Sequence, residues 1–428
     1  MTELNRPTSI NTVNGLASPV SPSRDLLIGR IFADESLRDY ICQAAEQAPE
    51  GLVDQTAFLS FCKQAADAYV SANGRDGLTQ DPDEAISAYI EAGQRIAQRF
   101  EASAKPNPKA VYWPDPTKEG ENLGDVLPVS KTYPFIDQST VIASAGSCFA
   151  VEIAKYLVAH NFNYLCLEKT YDPETGTIVL ETSMDDPQIQ YSCRWGNLFN
   201  TPSFTQVVEN AFGVRPLSQI LTRHELPGGS LYLDPYREAV AFMSEEGYAV
   251  EREKHLANTR KVFETADVFI MTLGLNEAWQ YIPDGSYISR NPRDRSLAGL
   301  LDHRTLTVQE NIDYLQRFVD VVRAHNPDIK LIVTVSPVPF LATGRADEHH
   351  VVTANTHSKA VLRVTAEEIV ARNENVFYFP SYEVVTVCSP QIWKQDQRHI
   401  HESAVGRVMA TFEKMFLTRA AQVQLQLS

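Results

Sequence analysis

The sequence has no run of about 18 apolar residues, the length a helix needs to cross a bilayer, so no membrane span is expected. Its six cysteines (Cys42, Cys62, Cys148, Cys166, Cys193, Cys388) are scattered, and none forms a CxxC pair. That spacing argues against a structural zinc site and against a secreted disulfide framework. Basic residues are scarce relative to acidic ones, 38 against 54, for a net charge of −16. Such a balance argues against a general polyanion-binding role, and no nucleic-acid partner is expected, although a local basic pocket stays open. The opening stretch, MTELNRPTSINTVNGLASPVSPSRD, lacks the apolar core of a signal peptide. The expected setting is a reducing cytoplasm, in which a free thiol persists.

At 428 residues the chain exceeds one average domain, so a large domain with an appendage is the natural division. Residues 1–24 are rich in Ser, Thr, Asn and Pro and read as a disordered tail. Residues 25–103 read as a helical appendage. Ile86, Tyr89, Ile90, Ala97 and Phe100 fall on one face, interrupted by Gly93, and Asp81, Pro82 and Glu84 give that helix a start. Phe58, Leu59, Cys62, Ala65 and Tyr69 form a similar stripe, which makes Cys62 a core residue. Residues 104–135 are punctuated by proline and read as a linker lying on a surface. From residue 136 to about 420, short apolar runs alternate with helical stretches, the pattern of a parallel sheet covered by helices. Strands are expected at 140–143, 268–272, 331–335 and 376–379. Helices are expected at 150–160, 256–265, 308–325, 358–372 and 403–416. A ligand site in such a domain lies at the carboxyl ends of the strands.

The first strand end reads Gly146-Ser147-Cys148-Phe149-Ala150. Gly146 permits a sharp turn, and Cys148 falls at the helix N-terminus, where free N–H groups and the helix dipole favour a thiolate. Local geometry alone favours the plainer reading, a small cysteine packed beneath the helix. A second block, YSCRWGNLFN, carries Gly196 and Asn197 in a turn-like setting. Arg194 before it reads as a solvent-facing or salt-bridged residue, with a carboxylate or phosphate partner as the other option. A third block, Thr272 to Trp279, leaves a buried strand through Gly274, Asn276 and Glu277. Lys359 and Arg363, four apart, read as a solvated helix face or an anion contact. His349, His350 and His357 lack any metal-binding spacing, and no metal is expected. The last block places Asp396 three residues before His399, with His401 as a competitor two residues on.

GSCFA at 146–150 is the signature of the GSCFA domain family, which looks related to the SGNH/GDSL hydrolase superfamily. The later blocks resemble that superfamily's in order. The resemblance spans residues 136–416 and implies a three-layer α/β/α parallel sheet of SGNH-hydrolase type. It places Cys148 at the nucleophile position, usually held by serine, and Ser147 where aspartate usually stands. It implies His399 as base (His401 as the alternative), oriented by Asp396, and an oxyanion hole from Gly196 and Asn276. Glu277 and Asn197 are supporting residues, and Trp279 a wall or a core filler. A base oriented by a carboxylate is what nucleophile activation requires. The implied activity is acyl-group hydrolysis or O-acyl transfer through a Cys thioester, with a small-molecule or carbohydrate ester as substrate and polysaccharide modification as an associated role. No cofactor is required, acyl-CoA is a possible donor, and the oligomeric state is not readable. Two alternatives stay open: Ser147 as nucleophile with Cys148 structural, and a non-catalytic binding or assembly protein on the same fold.

Overall fold

The computed structural model describes residues 22–46, 55–76, 78–103, 111–129, 131–180, 191–237, 239–289 and 296–427, without the side chains of 22–25, 99–103 and 427. Its chain contacts divide it into two compact units, Met1–Tyr112 and Trp113–Ser428. The first unit is helical: α1 (Pro22–Ile31), α2 (Glu35–Glu46), α3 (Gln55–Asn73) and α4 (Pro82–Ser103). Ile28, Phe32, Leu37, Ile41, Phe58, Cys62 and Ile86 make its core. Asp81 starts α4 by accepting from the Asp83 and Glu84 N–H groups at 2.9 and 3.3 Å. The apolar stripe is buried only in the first turns of α4, since Ile90 and Ile96 are exposed; the Phe100 side chain lies outside the described residues, as do residues 1–21 of the expected tail.

The second unit begins with irregular chain along its own surface, Arg407 donating to the Val126 carbonyl at 2.8 Å. Its elements are β1 (Ile142–Gly146), α5 (Cys148–Ala159), β2 (Tyr171–Asp172), β3 (Thr177–Val179), α6 (Thr201–Ala211), β4 (Thr222–Leu226), β5 (Gly229–Leu233), β6 (Val240–Phe242) and α7 (Glu245–Thr265). These are followed by β7 (Val268–Leu273), β8 (Glu277–Tyr281), β9 (Ser286–Ile288), β10 (Leu301–Thr305), α8 (Val308–His325), β11 (Lys330–Val335), α9 (Val351–Arg372), β12 (Val376–Phe379), α10 (Ser381–Thr386), α11 (Glu402–Phe416) and α12 (Arg419–Leu427). The central sheet is parallel, in the order β1-β7-β11-β12. A parallel bridge from Ile142 to Tyr164 adds one further chain segment outside β1. The chain therefore runs outward once and then reverses across β1 to β7, and open α/β sheets bind ligands at such a reversal.

Alternation along the strands sends side chains to two cores. Ala143, Ala145, Phe269, Met271, Leu331 and Val333 meet Phe204 of α6, Phe263 of α7, Phe318 of α8 and Leu362 of α9. Ile142, Val268, Ile270 and Ile332 meet Phe149 and Ile153 of α5, Val384 of α10 and Phe412 of α11. The result is the expected three-layer α/β/α arrangement. Among the described residues no helix is long and apolar enough to cross a membrane.

Three of the four expected strands appear within one residue of their place, but the first lies at Ile142–Gly146 rather than 140–143. Ser144, Ala145 and Gly146 carry little apolar signal, yet all five strand residues are buried between layers. The helices expected at 256–265 and 358–372 begin earlier, at Glu245 and Val351. Ser244 caps the first and His350 the second; polar early turns hide both starts from a periodicity reading. Two antiparallel sheets were not foreseen, β2-β3-β6-β5-β4 and β10-β8-β9. Under the larger one, Arg194 is buried instead of solvent-facing: it pairs with Glu251 at 3.0 Å, while Glu251 also meets Arg237 at 2.8 Å. Glu168 completes the cluster by accepting from the Arg194 N–H and meeting His255, both at 2.8 Å.

Candidate active site

The turn after β1 is set by a steric requirement. Gly146 has φ +151°, and a Cβ there would lie 2.6 Å from the Thr272 carbonyl oxygen of β7. Ser147 N–H donates to that same carbonyl at 3.2 Å. The turn and the neighbouring strand are thus locked backbone to backbone, with no room for a side chain at Gly146. Gly146→Ala is expected to destabilise the protein by about 3 kcal/mol, combining backbone strain and overpacking. Denaturant unfolding of the variant measures it; a loss below about 0.5 kcal/mol would show the turn to be tolerant.

The other loops are stitched to this one. Leu198 N–H donates to Gly146 O at 2.9 Å, and Phe199 O accepts from Gly274 and Leu275 N–H at 2.8 Å each. Ser336 N–H donates to Leu273 O at 2.7 Å. These contacts gather the carboxyl ends of β1, β7 and β11 around one cavity of about 370 Å³. Ser147, Cys148, Gly274, Glu277, Trp279 and Arg398 are among its walls.

Cys148 is the first residue of α5. Burial pushes its thiol above the usual range; the charges of Arg398 and Lys359 and the N–H groups of Cys148 and Phe149 pull the other way without prevailing. A thiol held in this way needs a proton acceptor before it can act as a nucleophile. Ser147 is 3% exposed, and its hydroxyl is buried without a hydrogen-bond partner.

Lys359 was not foreseen here; its spacing with Arg363 suggested a solvated face. Instead it is 1% exposed and donates from Nζ to the Gly274 carbonyl at 2.6 Å. Burial lowers its pKa from 10.5 to about 7, opposed only partly by Cys148. No sequence periodicity marks a lysine that points inward, and α9 itself has little amphipathic pattern to flag it. Arg363 does face outward in part, held by Glu383 at 2.8 Å and Glu367 at 2.7 Å.

Asp396 and His399 are joined: Asp396 Oδ1 accepts from the His399 N–H at 2.9 Å, and Oδ2 meets His399 Nδ1. The His399 N–H and ring, with the Arg398 N–H, hold Asp396 down at about 2. The pair is about half exposed and sits in a hairpin closed by a Trp393–Ile400 bridge. It is Arg398, one residue earlier, that lines the cavity and docks the hairpin by donating to Pro339 O at 3.2 Å. His399 and His401 are not among the described lining residues. His401 caps α11, its Nδ1 meeting Ser403 N–H at 3.3 Å and Ser403 Oγ at 2.8 Å.

Asn276 does not face the cavity as an oxyanion donor would. It is fully buried, its amide donates to Leu306 O at 3.0 Å, and its N–H donates to Ser358 Oγ at 2.8 Å. One amide hydrogen thus tethers the end of β10, while Oδ1 is buried without a hydrogen-bond partner. Gly196 has φ +65° and lies within the stitched block beside Gly146. Asn197 Oδ1 accepts from Tyr191 OH at 2.5 Å. Glu277 is in the wall, where it collects Thr343 Oγ1 at 2.7 Å, Gly344 N–H at 2.9 Å, Arg345 Nε at 3.2 Å and His303 Nε2 at 3.2 Å. Burial raises its pKa, but those donors outweigh it and leave the carboxyl at about 2. Glu277 therefore orients a loop and His303 rather than His399. Away from the cavity, Glu168, Glu251 and His255 bring possible metal-ligand atoms within 4.8 Å of one another. Arg194 and Arg237 already neutralise those carboxylates.

The glycine turn, thiol and loop order define a GSCFA-type α/β domain, and the GSCFA family model matches residues 141–412. The chain belongs to the GSCFA family. Curated proteins give no match. Solved structures that resemble it include a carbohydrate esterase family 3 protein from Talaromyces cellulolyticus, at 9% identity, 68% of this chain, 100% of that one and TM-score 0.31. Others are an acetyl esterase mutant with acetate ion, at 10% identity, 68% of this chain, 100% of that one and TM-score 0.30, and a family 3 carbohydrate esterase from Clostridium thermocellum, at 11%, 68%, 98% and 0.28. At such TM-scores the likeness assigns no activity.

Proposed function

We propose that the protein is an acyl-group hydrolase or O-acyltransferase in which the Cys148 thiol is the nucleophile. The observation that carries this reading is a cysteine at a helix N-terminus, lining a sizeable cavity at the reversal point of a parallel sheet. Cys148 Sγ attacks the acyl carbonyl carbon, and its proton passes to a base. The tetrahedral adduct collapses to a thioester as the alcohol or thiol leaving group departs with a proton. Water or an acceptor hydroxyl, including that of a carbohydrate, then attacks the thioester and regenerates the thiol. The Asp396–His399 pair serves as the acid and base in this reading, supported by its own hydrogen bonds and by the neighbouring Arg398, which lines the cavity. Lys359 supplies the buried cationic partner of the developing thiolate. The Cys148 and Gly196 N–H groups, with the unpartnered Ser147 hydroxyl in place of the committed Asn276 amide, receive the oxyanion. No resident cofactor is required, and an acyl-CoA thioester is a suitable donor.

The raised thiol pKa favours the competing reading, a binding protein with an inert cysteine. The two separate on covalent trapping. Incubation with p-nitrophenyl esters of two to eight carbons, followed by intact-mass and peptide analysis, is expected to show a hydroxylamine-labile acyl group on Cys148. Turnover with an adduct on Ser147, or no adduct and no turnover with any ester, would overturn the proposal.

A further inference from the structure

The cavity beside Cys148 carries information about what the thiol receives. Its walls include Phe199, Leu275, Trp279, Val338, Phe340 and Leu341. The polar groups among them are almost all occupied. An ionised carboxylate offers about four acceptor sites, and Glu277 already meets four donors. Ser289 Oγ donates to Asn197 O at 2.9 Å. Ser336 Oγ accepts from Val338 N–H at 3.3 Å, and Thr343 Oγ1 donates to Glu277 while accepting from Arg345 N–H. Along Phe199, Leu275, Val338 and Leu341 a sugar would exchange its water hydrogen bonds for few or none, at a cost those residues do not offset. Ser147 keeps a hydroxyl without a hydrogen-bond partner, and Arg398 spends only Nε, on Pro339 O, leaving its Nη groups for the polar part of a ligand. Mostly apolar walls with free donors at Ser147 and Arg398 suit a hydrocarbon chain capped by a carbonyl.

Size narrows the class. A dry cavity of about 150 Å³ holds benzene, so 370 Å³ at that packing has room for about fifteen heavy atoms and admits an octanoyl group. We infer that this cavity is the acyl-chain site, and that the protein's substrate carries a medium-length apolar acyl group of about eight carbons rather than an acetyl group. The chain lies against Phe199, Leu275, Trp279 and Val338, with its carbonyl at Cys148, and the alcohol or thiol portion stays outside, on the Arg398 side. The inference rests on Cys148 as the acyl-accepting residue and adds what it accepts.

The test measures the two claims separately. N-methyl, N-butyl and N-octyl iodoacetamide alkylate a thiol without any turnover. Rates at Cys148, followed by peptide mass spectrometry at pH 8.5 and normalised to glutathione, are expected to rise with chain length. Burial of each methylene favours the complex by about fourfold; with incomplete contact, the octyl reagent is expected to react at least 30-fold faster than the methyl one. Leu275→Trp, which fills the cavity, is expected to remove most of that gain; Ala342→Trp is the second variant should the first not fold. Rates that are flat or that fall with length in the folded wild-type protein overturn the inference. Alkylation that climbs with length while no p-nitrophenyl ester is hydrolysed supports the acyl-chain site and sinks the hydrolase reading. Cys148-dependent turnover that peaks at acetate, with flat alkylation, does the reverse.

Discussion

Replacing Cys148 by alanine is expected to lower kcat/KM for acyl ester or acyl thioester cleavage by about 10³-fold or more while leaving the fold intact. Removing a nucleophile eliminates the covalent route altogether, and what survives is catalysis by binding and the oxyanion donors alone. The substitution is mild structurally. Cys148 is only partly buried and sits at the edge of the lower core, so loss of its sulfur costs little packing, and alanine suits a helix. Circular dichroism and the unfolding midpoint should match the wild type. Ser147→Ala is the informative partner. As an oxyanion donor, Ser147 contributes on the order of 10²-fold, so its variant should keep Cys148 acylation measurable. Full loss in Ser147→Ala with retained activity in Cys148→Ala would transfer the nucleophile role to serine.

Lys359→Met is expected to move stability and activity in opposite directions. The buried amine binds its proton less tightly in the folded protein (about 7) than in the unfolded chain (10.5). Between those values the unfolded chain holds more protons, so stability rises with pH from about 7 toward 10.5 and is lowest below 7. The difference corresponds to about 5 kcal/mol. Methionine has nearly the same shape and no charge, so it removes this slope. It also abandons the bond to Gly274 O, a loss of about 1–3 kcal/mol when the acceptor stays buried. At pH 6 the variant should therefore be more stable than wild type by about 2–4 kcal/mol, and above pH 10 less stable. Urea unfolding across pH 6–10.5 checks the crossing; parallel stability curves would mean that the lysine titrates normally. The charged or titratable group that acts on this amine is Cys148, which is unchanged. Activity should fall about 10²-fold, because the thiolate loses its nearest buried cation.

Much of this domain is readable from its sequence because parallel strands buried on both faces are simple apolar runs. Val268–Leu273 and Leu331–Val335 are of this kind. β1 is harder, since a strand made of Ile-Ala-Ser-Ala-Gly owes its place to neighbours rather than to its own hydrophobicity. The antiparallel sheets are short, and their burial is irregular along β4, β5 and β10, so the alternation a sequence reading relies on is weak. The site divides in the same way. Gly146, Cys148, Asp396 and His399 are legible from local spacing, since each acts within a few residues of its motif. Lys359, Arg398 and the commitment of Asn276 to Leu306 depend on tertiary partners 30 to 250 residues away. Spacing along the chain does not encode such meetings.

Glu277 fastens His303 and the Thr343–Arg345 segment, and Gly344 fits only because a Cβ there would strike the His303 ring at 2.4 Å. The stretch from Val338 to Leu341, which forms much of the cavity's apolar wall, is held by Ser336 at one end and this clasp at the other, with Arg398 on Pro339 O and Asn355 on the Phe340 N–H between them. All of these contacts leave the side chains of Val338, Phe340 and Leu341 out, so the wall behaves as a replaceable panel. Those side chains can be exchanged by an engineer to reshape the cavity while the backbone contacts hold the wall in place.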